Sequence, residues 1–456
     1  MSHTPAGIED DADVLAGLNW LAKVSGDPGA FWRRLEDAQT CYRKYTVTQK
    51  NLGQDPELGK LGPDLVASFL AQAKSLIDSR RTYDFALASR CIPWVKMIGA
   101  NVNELARVTG AEDRARRMLA APGTEPDGTL LELVVGGNYA ADGQEVEFVP
   151  ESPGQRKTPD LHLSVPGEAD PFAIELKRLR QGQYEQDERT RHLQIFLRAA
   201  GIVRACSLSL HLDVKYTREL RDVPEEYLAK HLSRFLASPL VTLYSYPWQD
   251  EFGVGEIRQA NLGAVLDDIR DSSLYFGTKM ARLLSGGPVR ETGYHLVAGG
   301  KPDVRDPRYL EDVHYASVVT WQCVAPDAIA KKARHVKNRL VEAEKQVQSA
   351  GIGIIHLAMD AEVGCESSDL RRERNREAIL EFRSESRIAA LYVHYLVPRV
   401  SESHSWLVDE TVDKFGVGRD EVPTRMIFAD SKALSNELPA WKQSVPVPKP
   451  LVGRSG

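Results

Sequence analysis

The chain has 456 residues, of which 42% are apolar and 27% charged, with a formal net charge of −6. This length is too great for one ordinary core and predicts two or three domains, and the composition excludes a disordered or fibrous chain. The acidic balance lends no support to a nucleic-acid partner, so any such face must be a local basic patch.

The five cysteines, Cys41, Cys91, Cys206, Cys323 and Cys365, are scattered and form no C-x-x-C pair. That spacing argues against a zinc ribbon or a disulfide scaffold and fits a reducing compartment. The N-terminal stretch MSHTPAGIEDDADV lacks the apolar core of a signal peptide, and no apolar run is long enough to span a bilayer. The expectation is a cytoplasmic protein without membrane attachment.

Residues 1–120 are expected to form a helical N-terminal region. Within it, Val66, Phe69, Leu70, Ala73, Leu76 and Ile77 form a helical stripe, and Ile92–Met118 reads as further helix with Pro93 near its start. The Pro- and Gly-rich APGTEPDG (121–128) marks a boundary, and TLLELVVGGNYAADG (129–143) follows as a short helix that Gly143 can end. EVEFVP (145–150) alternates as a half-buried strand. PDLHLSV (159–165) and PFAIELK (171–177), joined by the turn residues PGEAD, predict a hairpin. A helix at about 184–200 and a strand at ACSLSLHLDV (205–214) complete a unit spanning 121–215. Beyond it, 216–440 reads as a further α/β region. It has buried strands at 316–324, 351–359 and 387–397 and helices at about 326–350 and 369–385, an alternation that favours parallel pairing. The Pro- and Gly-rich 441–456 is expected to be a loose tail.

The chemistry concentrates in Lys157-Thr158-Pro159-Asp160 and Glu175-Leu176-Lys177. Side chains two apart on a strand share a face, so Glu175 and Lys177 point one way while Ile174 and Leu176 point the other. A hairpin can bring Asp160 beside Glu175. Two adjacent carboxylates repel and are costly to bury, and a divalent cation resolves the conflict. Mg²⁺ accepts one or two carboxylates with waters and phosphate oxygens, and the Leu176 backbone carbonyl is a further candidate ligand. Lys177 would then orient a metal-bound water or offset charge on a phosphate. Glu132, an acid among Leu130, Leu131, Leu133, Val134 and Val135, is placed to join this cluster from the preceding helix. Pro-Asp by itself carries nothing, since it also occurs at 63–64, 126–127, 302–303 and 326–327.

With these residues in view, the segment from Glu132 through Lys177 resembles the PD-(D/E)xK nuclease superfamily, the restriction-endonuclease-like fold. Pro159-Asp160 matches the first half of its motif, Glu175 and Lys177 the second, and Glu132 the helical acid found in many members. The resemblance covers roughly a fifth of the chain. It implies a mixed sheet core flanked by helices and an endonuclease using Mg²⁺ or Mn²⁺ to cleave nucleic acid, DNA favoured over RNA, in restriction, defence or repair. Asp160, Glu175, Glu132 and the Leu176 carbonyl are the implied metal ligands, and Lys177 the implied catalytic lysine. A homo-oligomer or a partner protein is compatible with this reading. The competing expectation is a binding or interaction module on a decayed nuclease fold.

Basic residues after the motif (Arg178, Arg180, Arg189, Arg191, Arg198 and Arg204) are candidates for phosphate contact, as is Lys157 before it. Gln194 is a candidate to face the site. On the 326–350 helix, Ile329, Ala333, Val336, Leu340, Ala343 and Val347 form a packing stripe, leaving Lys331, Lys332 and Lys337 as a candidate backbone-binding patch. The run Arg371, Arg372, Arg374 and Arg376 alternates with Glu373 and Glu377 and reads mainly as pairing within its helix. No P-loop, G-x-G-x-x-G, H-E-x-x-H or G-x-S-x-G pattern occurs.

Overall fold

The computed structural model describes residues 12–48, 62–78, 85–150, 158–180, 182–238, 245–271, 278–287, 289, 293–302, 310–348, 351–361, 366–382, 387–400, 406–416 and 427–428. The protein is α/β, with two mixed sheets. The first contains β1 (Glu145–Phe148), β2 (Leu161–Ser164), β3 (Phe172–Leu179), β9 (Ile352–Asp360), β10 (Arg387–Val400) and β11 (Trp406–Phe415), in the order β1-β2-β3-β9-β10-β11. The second contains β4 (Leu210–Tyr216), β5 (Ser245–Gln249), β6 (Gly253–Gln259), β7 (Tyr294–Pro302) and β8 (Leu310–Cys323), in the order β5-β6-β4-β8-β7.

The expected hairpin forms: β2 and β3 are antiparallel, with Leu161 opposite Ile174 and Leu163 opposite Phe172. The helix before β1 runs Asp127–Ala141, and Gly143 follows it at φ +77, where the Gly143 and Gln144 N–H groups close onto the Ala140 and Tyr139 carbonyls. Ile92–Met118 is not one helix. It divides into Ile92–Ala100, Val102–Leu105 and Ala111–Leu119. The last break falls at Gly110, at φ +83, where an added Cβ would lie 2.9 Å from that of Phe148. That approach lets the Thr109 carbonyl accept the Phe148 N–H at 2.9 Å and seat the helical region against β1.

Of the strand expected at 205–214 only 210–214 forms, within β4, because the preceding helix runs on to Cys206, and β4 does not join the hairpin's sheet. It pairs with β6 and, in parallel, with β8. The parallel neighbour of β3 is β9, with Glu175 opposite Ile355 and Lys177 opposite Leu357. The residues 121–215 therefore contribute to both sheets, and the first sheet is completed from within 216–440. A parallel pair always needs a crossover; here the crossover holds the entire second sheet before the chain returns through the helix Pro326–Val347.

Both faces of the first sheet are covered. Phe172, Ile174 and Leu176 of β3 join a core with Leu130, Leu131 and Val134 and the N-terminal helices, whereas Ala173 and Leu179 pack with Val336, Leu340, Ala343 and Val347. The predicted stripe on the Pro326–Val347 helix is thus what buries the Glu175 face of β3. The second sheet packs β4 residues Leu212, Val214 and Tyr216 against Ile195, Phe196 and Val203 of the Gln183–Cys206 helix. Among the described residues, no helix is long and apolar enough to cross a membrane.

Candidate active site

The site lies in a notch made by unequal strands. β2 starts just after Asp160, whose backbone N–H bonds the Ile174 carbonyl at 3.0 Å. From there β3 continues to Leu179 with β9 on one side. At the notch the Asp160 side chain replaces a strand partner: its Oδ2 accepts the Leu176 N–H at 2.9 Å. Backbone groups of alternate strand residues face the same edge, so the Leu176 carbonyl also faces the notch.

Glu175 lies on the opposite face of β3 from Ile174 and Leu176 and is fully buried. Lys177, two residues on, donates its Nζ to Glu175 Oε1 and, at 2.8 Å, to Gln346 Oε1. Gln346 in turn donates its Nε2 to the Thr158 carbonyl at 3.1 Å. One amide near the end of the Pro326–Val347 helix therefore ties the lysine to the segment carrying Asp160. Among the described residues, Glu175 Oε2 is buried with no hydrogen-bond partner. An orphaned carboxylate oxygen at full burial is costly, and it marks a place for a cation or proton.

Glu132 arrives from the Asp127–Ala141 helix but is not left open. Arg114, on the Ala111–Leu119 helix, donates its Nε to Glu132 and reaches Asp160 Oδ1 with Nη2 at 3.4 Å. The three acids are close enough to disturb one another. Burial raises Glu132, and the Asp160 charge adds to the shift, to about 7. Burial and then the Glu175 charge raise Asp160 to about 7, against the Leu176 hydrogen bond and Arg114. Burial likewise raises Glu175 to about 7, opposed by Lys177 and reinforced by Glu132.

Among the described residues, no three His, Cys, Asp or Glu side chains already stand as a joint metal-ligand set. The donors on offer are two carboxylates, Asp160 and Glu175, and the Leu176 carbonyl, with Glu132 engaged by Arg114. This all-oxygen set suits a hard cation such as Mg²⁺ or Mn²⁺, which needs only one or two protein carboxylates. The unpartnered Glu175 Oε2 is the atom that most favours the fit.

The other candidates separate. Arg178 is drawn inside: its guanidinium meets Asp360 at 2.5 Å and the Ala358 carbonyl at 3.3 Å, with the side chain 4% exposed. Arg180 pairs with Glu125 and Asp127, and Arg90 holds the same two acids. The Asp127 of an uninformative Pro-Asp pair is thus a buried structural acid, held down in pKa by Arg90, Arg178 and Arg180 despite burial. Lys331 pairs with Glu219, and Lys332 is buried against Glu188 at 2.7 Å. Lys337 is exposed, as are Arg334 and Lys345 along the same helix. Lys157 lies outside the described residues. Gln194 meets Arg191 at 3.1 Å on a helix that serves the second sheet. Arg374 pairs within its helix with Glu377, whereas Arg371 reaches Glu185, and Arg372 and Arg376 reach Asp413.

Sequence reasoning missed Arg114 and Gln346. Arg114 stands three residues after the buried Ala111 and four before the buried Met118. That spacing puts it on the packed face of an otherwise charged helix, a legible signal. Gln346 gave none, because nothing local says that its helix returns to β3. No protein-family model matches the chain, and no curated protein is significantly similar to it.

Proposed function

We propose that the protein is a metal-dependent nuclease of the restriction-endonuclease-like type that hydrolyses phosphodiester bonds. The observation that carries this reading is the notch itself, where Asp160 caps β3 just before β2 begins and Glu175, bonded by Lys177 through Oε1, keeps Oε2 buried without a described partner. The succession helix, β1, β2, β3, helix, β9 supports it. This order parallels the helix, three strands, helix and strand that the resemblance implies, except that the Gln183–Cys206 helix and the second sheet intervene between β3 and the second helix.

In this reading Asp160, Glu175 and the Leu176 carbonyl hold Mg²⁺ or Mn²⁺. The ion, when bound, supplies Lewis-acid activation of water and of phosphate. Lys177, fixed by Gln346, places a positive charge beside the attacking water and the phosphate oxygens. Glu132 acts through Arg114. The exposed Arg334, Lys337 and Lys345 run along the helix that ends beside Lys177, a basic track for a nucleic-acid backbone. DNA is favoured over RNA on the family resemblance alone.

One observation favours a second reading, a binding module that has lost cleavage: Arg114 spans Glu132 and Asp160, and acids paired in this way are partly neutralised without metal. Both readings meet in one assay. Purified protein is incubated with plasmid, single-stranded DNA and RNA in Mg²⁺ or Mn²⁺, beside Lys177→Ala. Cleavage by the wild type and its loss in the variant support the nuclease. Equal cleavage by both, or none by either across the substrates, counts against it.

A further inference from the structure

We infer that Arg114 is a built-in counter-cation of the acid notch, which occupies Asp160 in the metal-free protein and yields it when a divalent ion binds, while Glu132 keeps the guanidinium in place. The inference rests on the proposed nuclease reading only for the metal site.

The geometry is asymmetric. Arg114 grips Glu132 through Nε, whereas its contact to Asp160 is a long one, 3.4 Å from Nη2 to Oδ1. The other Asp160 oxygen is committed to the Leu176 N–H at 2.9 Å. Oδ1 is therefore the Asp160 atom available to a metal, and Arg114 is what covers it. Glu175 divides its oxygens in the same manner, Oε1 to Lys177 and Oε2 to no described partner. Each of the two acids thus gives one oxygen to a close hydrogen bond, while the other is held only at 3.4 Å on Asp160 and by no described partner on Glu175. The Arg114 side chain is only 13% exposed, so its charge is weakly screened and lies directly against the site. Glu132 serves here as an anchor. It holds the guanidinium close enough to balance Asp160 without metal and stops it from leaving the notch when the metal arrives.

A cation held against a metal site opposes a second cation, so its removal tightens metal binding. The test is calorimetric titration of Mn²⁺ into full-length wild type, Arg114→Gln and Arg114→Lys at about pH 8, where protons compete weakly for carboxylates. Arg114→Gln is expected to bind Mn²⁺ about tenfold or more tightly than wild type. Thermal melts in a chelator are expected to show Arg114→Gln less stable than wild type, with Mn²⁺ closing the gap. Arg114→Lys keeps a charge but cannot fork to both acids. It is expected to gain affinity by a smaller factor, and it answers the question if Arg114→Gln does not fold.

Equal or weaker Mn²⁺ binding by the folded variants overturns the inference while leaving the metal site intact. Absence of Mn²⁺ binding in every protein overturns it together with that site. Tightened binding in a protein that cleaves no nucleic acid upholds the inference and removes the nuclease reading instead.

Discussion

Asp160 accepts the backbone N–H of Leu176 at 2.9 Å, so the acid that precedes β2 completes the hydrogen bonding of β3 where its strand partner stops. The same carboxylate is thus both a structural cap and a proposed metal ligand. Those two duties separate by substitution. Asp160→Ala strands the Leu176 N–H and should cost about 1–3 kcal/mol, whereas Asp160→Asn retains an acceptor and should lose metal binding without that penalty. Urea unfolding of the two variants, set beside Mn²⁺ titration, checks this.

The raised acids predict an unusual pH dependence in the absence of metal. Asp160 titrates at about 7 in the folded chain, against about 3.9 when unfolded. A carboxyl raised on folding favours the folded state fully below its unfolded pKa, and that contribution is lost as pH climbs through the folded value. In chelator, wild type and Asp160→Asn should therefore unfold alike at about pH 4, with the variant more stable by on the order of 2 kcal/mol at about pH 8. Metal binding to wild type should strengthen over the same interval, since the ion must displace protons. Parallel stability profiles for the two proteins would sink the assignment.

Lys177 and Gln346 should fail differently. Lys177→Met leaves the fully buried Glu175 without its cation, at a cost of about 3 kcal/mol. On the proposed nuclease reading it should also cut turnover by about a hundredfold or more. Adding Glu175→Gln should recover the stability but not the turnover. Gln346→Ala keeps the charge and loses its placement, so kcat should drop about tenfold with KM little changed. Steady-state kinetics with chemical denaturation distinguish the two; a KM effect alone for Gln346→Ala would refute its positioning role.

The hairpin was legible because its signals are local. Val146 and Phe148 alternate with acids, PGEAD supplies a turn, and Glu175-x-Lys177 reads as one strand face. The Leu340 stripe was legible for the same reason. The partner of β3 was not. Glu175 stands opposite Ile355, and parallel pairing over such a separation leaves no trace in either segment. Chain order placed 205–214 there instead, although the strand itself was foreseen. The site divides along the same line: Asp160, Glu175 and Lys177 come from one hairpin, while Gln346 comes from across the second sheet and Arg114 from a helix with several arginines.

That topology has a direct consequence for truncation. A chain ending at residue 215 contains the whole motif from Glu132 to Lys177 but lacks β9 and the Pro326–Val347 helix. Ala173 and Leu179 would then lose Val336, Leu340, Ala343 and Val347, and one edge of β3 would be unpaired. Such a fragment should show no cooperative thermal transition and should be degraded by protease faster than the full chain. A sharp transition in the fragment would contradict the pairing of β3 with β9.

A buried polar chain beside the notch sets the last prediction. On β9, His356 is the cross-strand neighbour of Leu176. Its Nε2 lies 3.1 Å from the Tyr139 hydroxyl, its Nδ1 2.9 Å from His394 Nε2, and His394 Nδ1 2.7 Å from Glu410. The carboxylate can only accept, so His394 donates from Nδ1, and its other ring nitrogen shares a hydrogen bond with His356. Burial, reinforced by His394, lowers His356 well below its usual pKa. Glu410 also accepts the Ile427 and Phe428 N–H groups at 2.8–2.9 Å, and Phe428 packs edge-on against Trp94. Glu410→Ala should therefore cost about 3–5 kcal/mol, because it strands a buried imidazole and two backbone donors together. His394→Phe removes the middle of the chain and leaves polar ends on both sides, so it should cost about 2–4 kcal/mol. The double variant should be less destabilised than the sum of the singles, since the second change removes a group the first had already stranded. Urea denaturation of the three variants decides it: strictly additive losses would mean that the chain from Tyr139 to Glu410 does not act as one network.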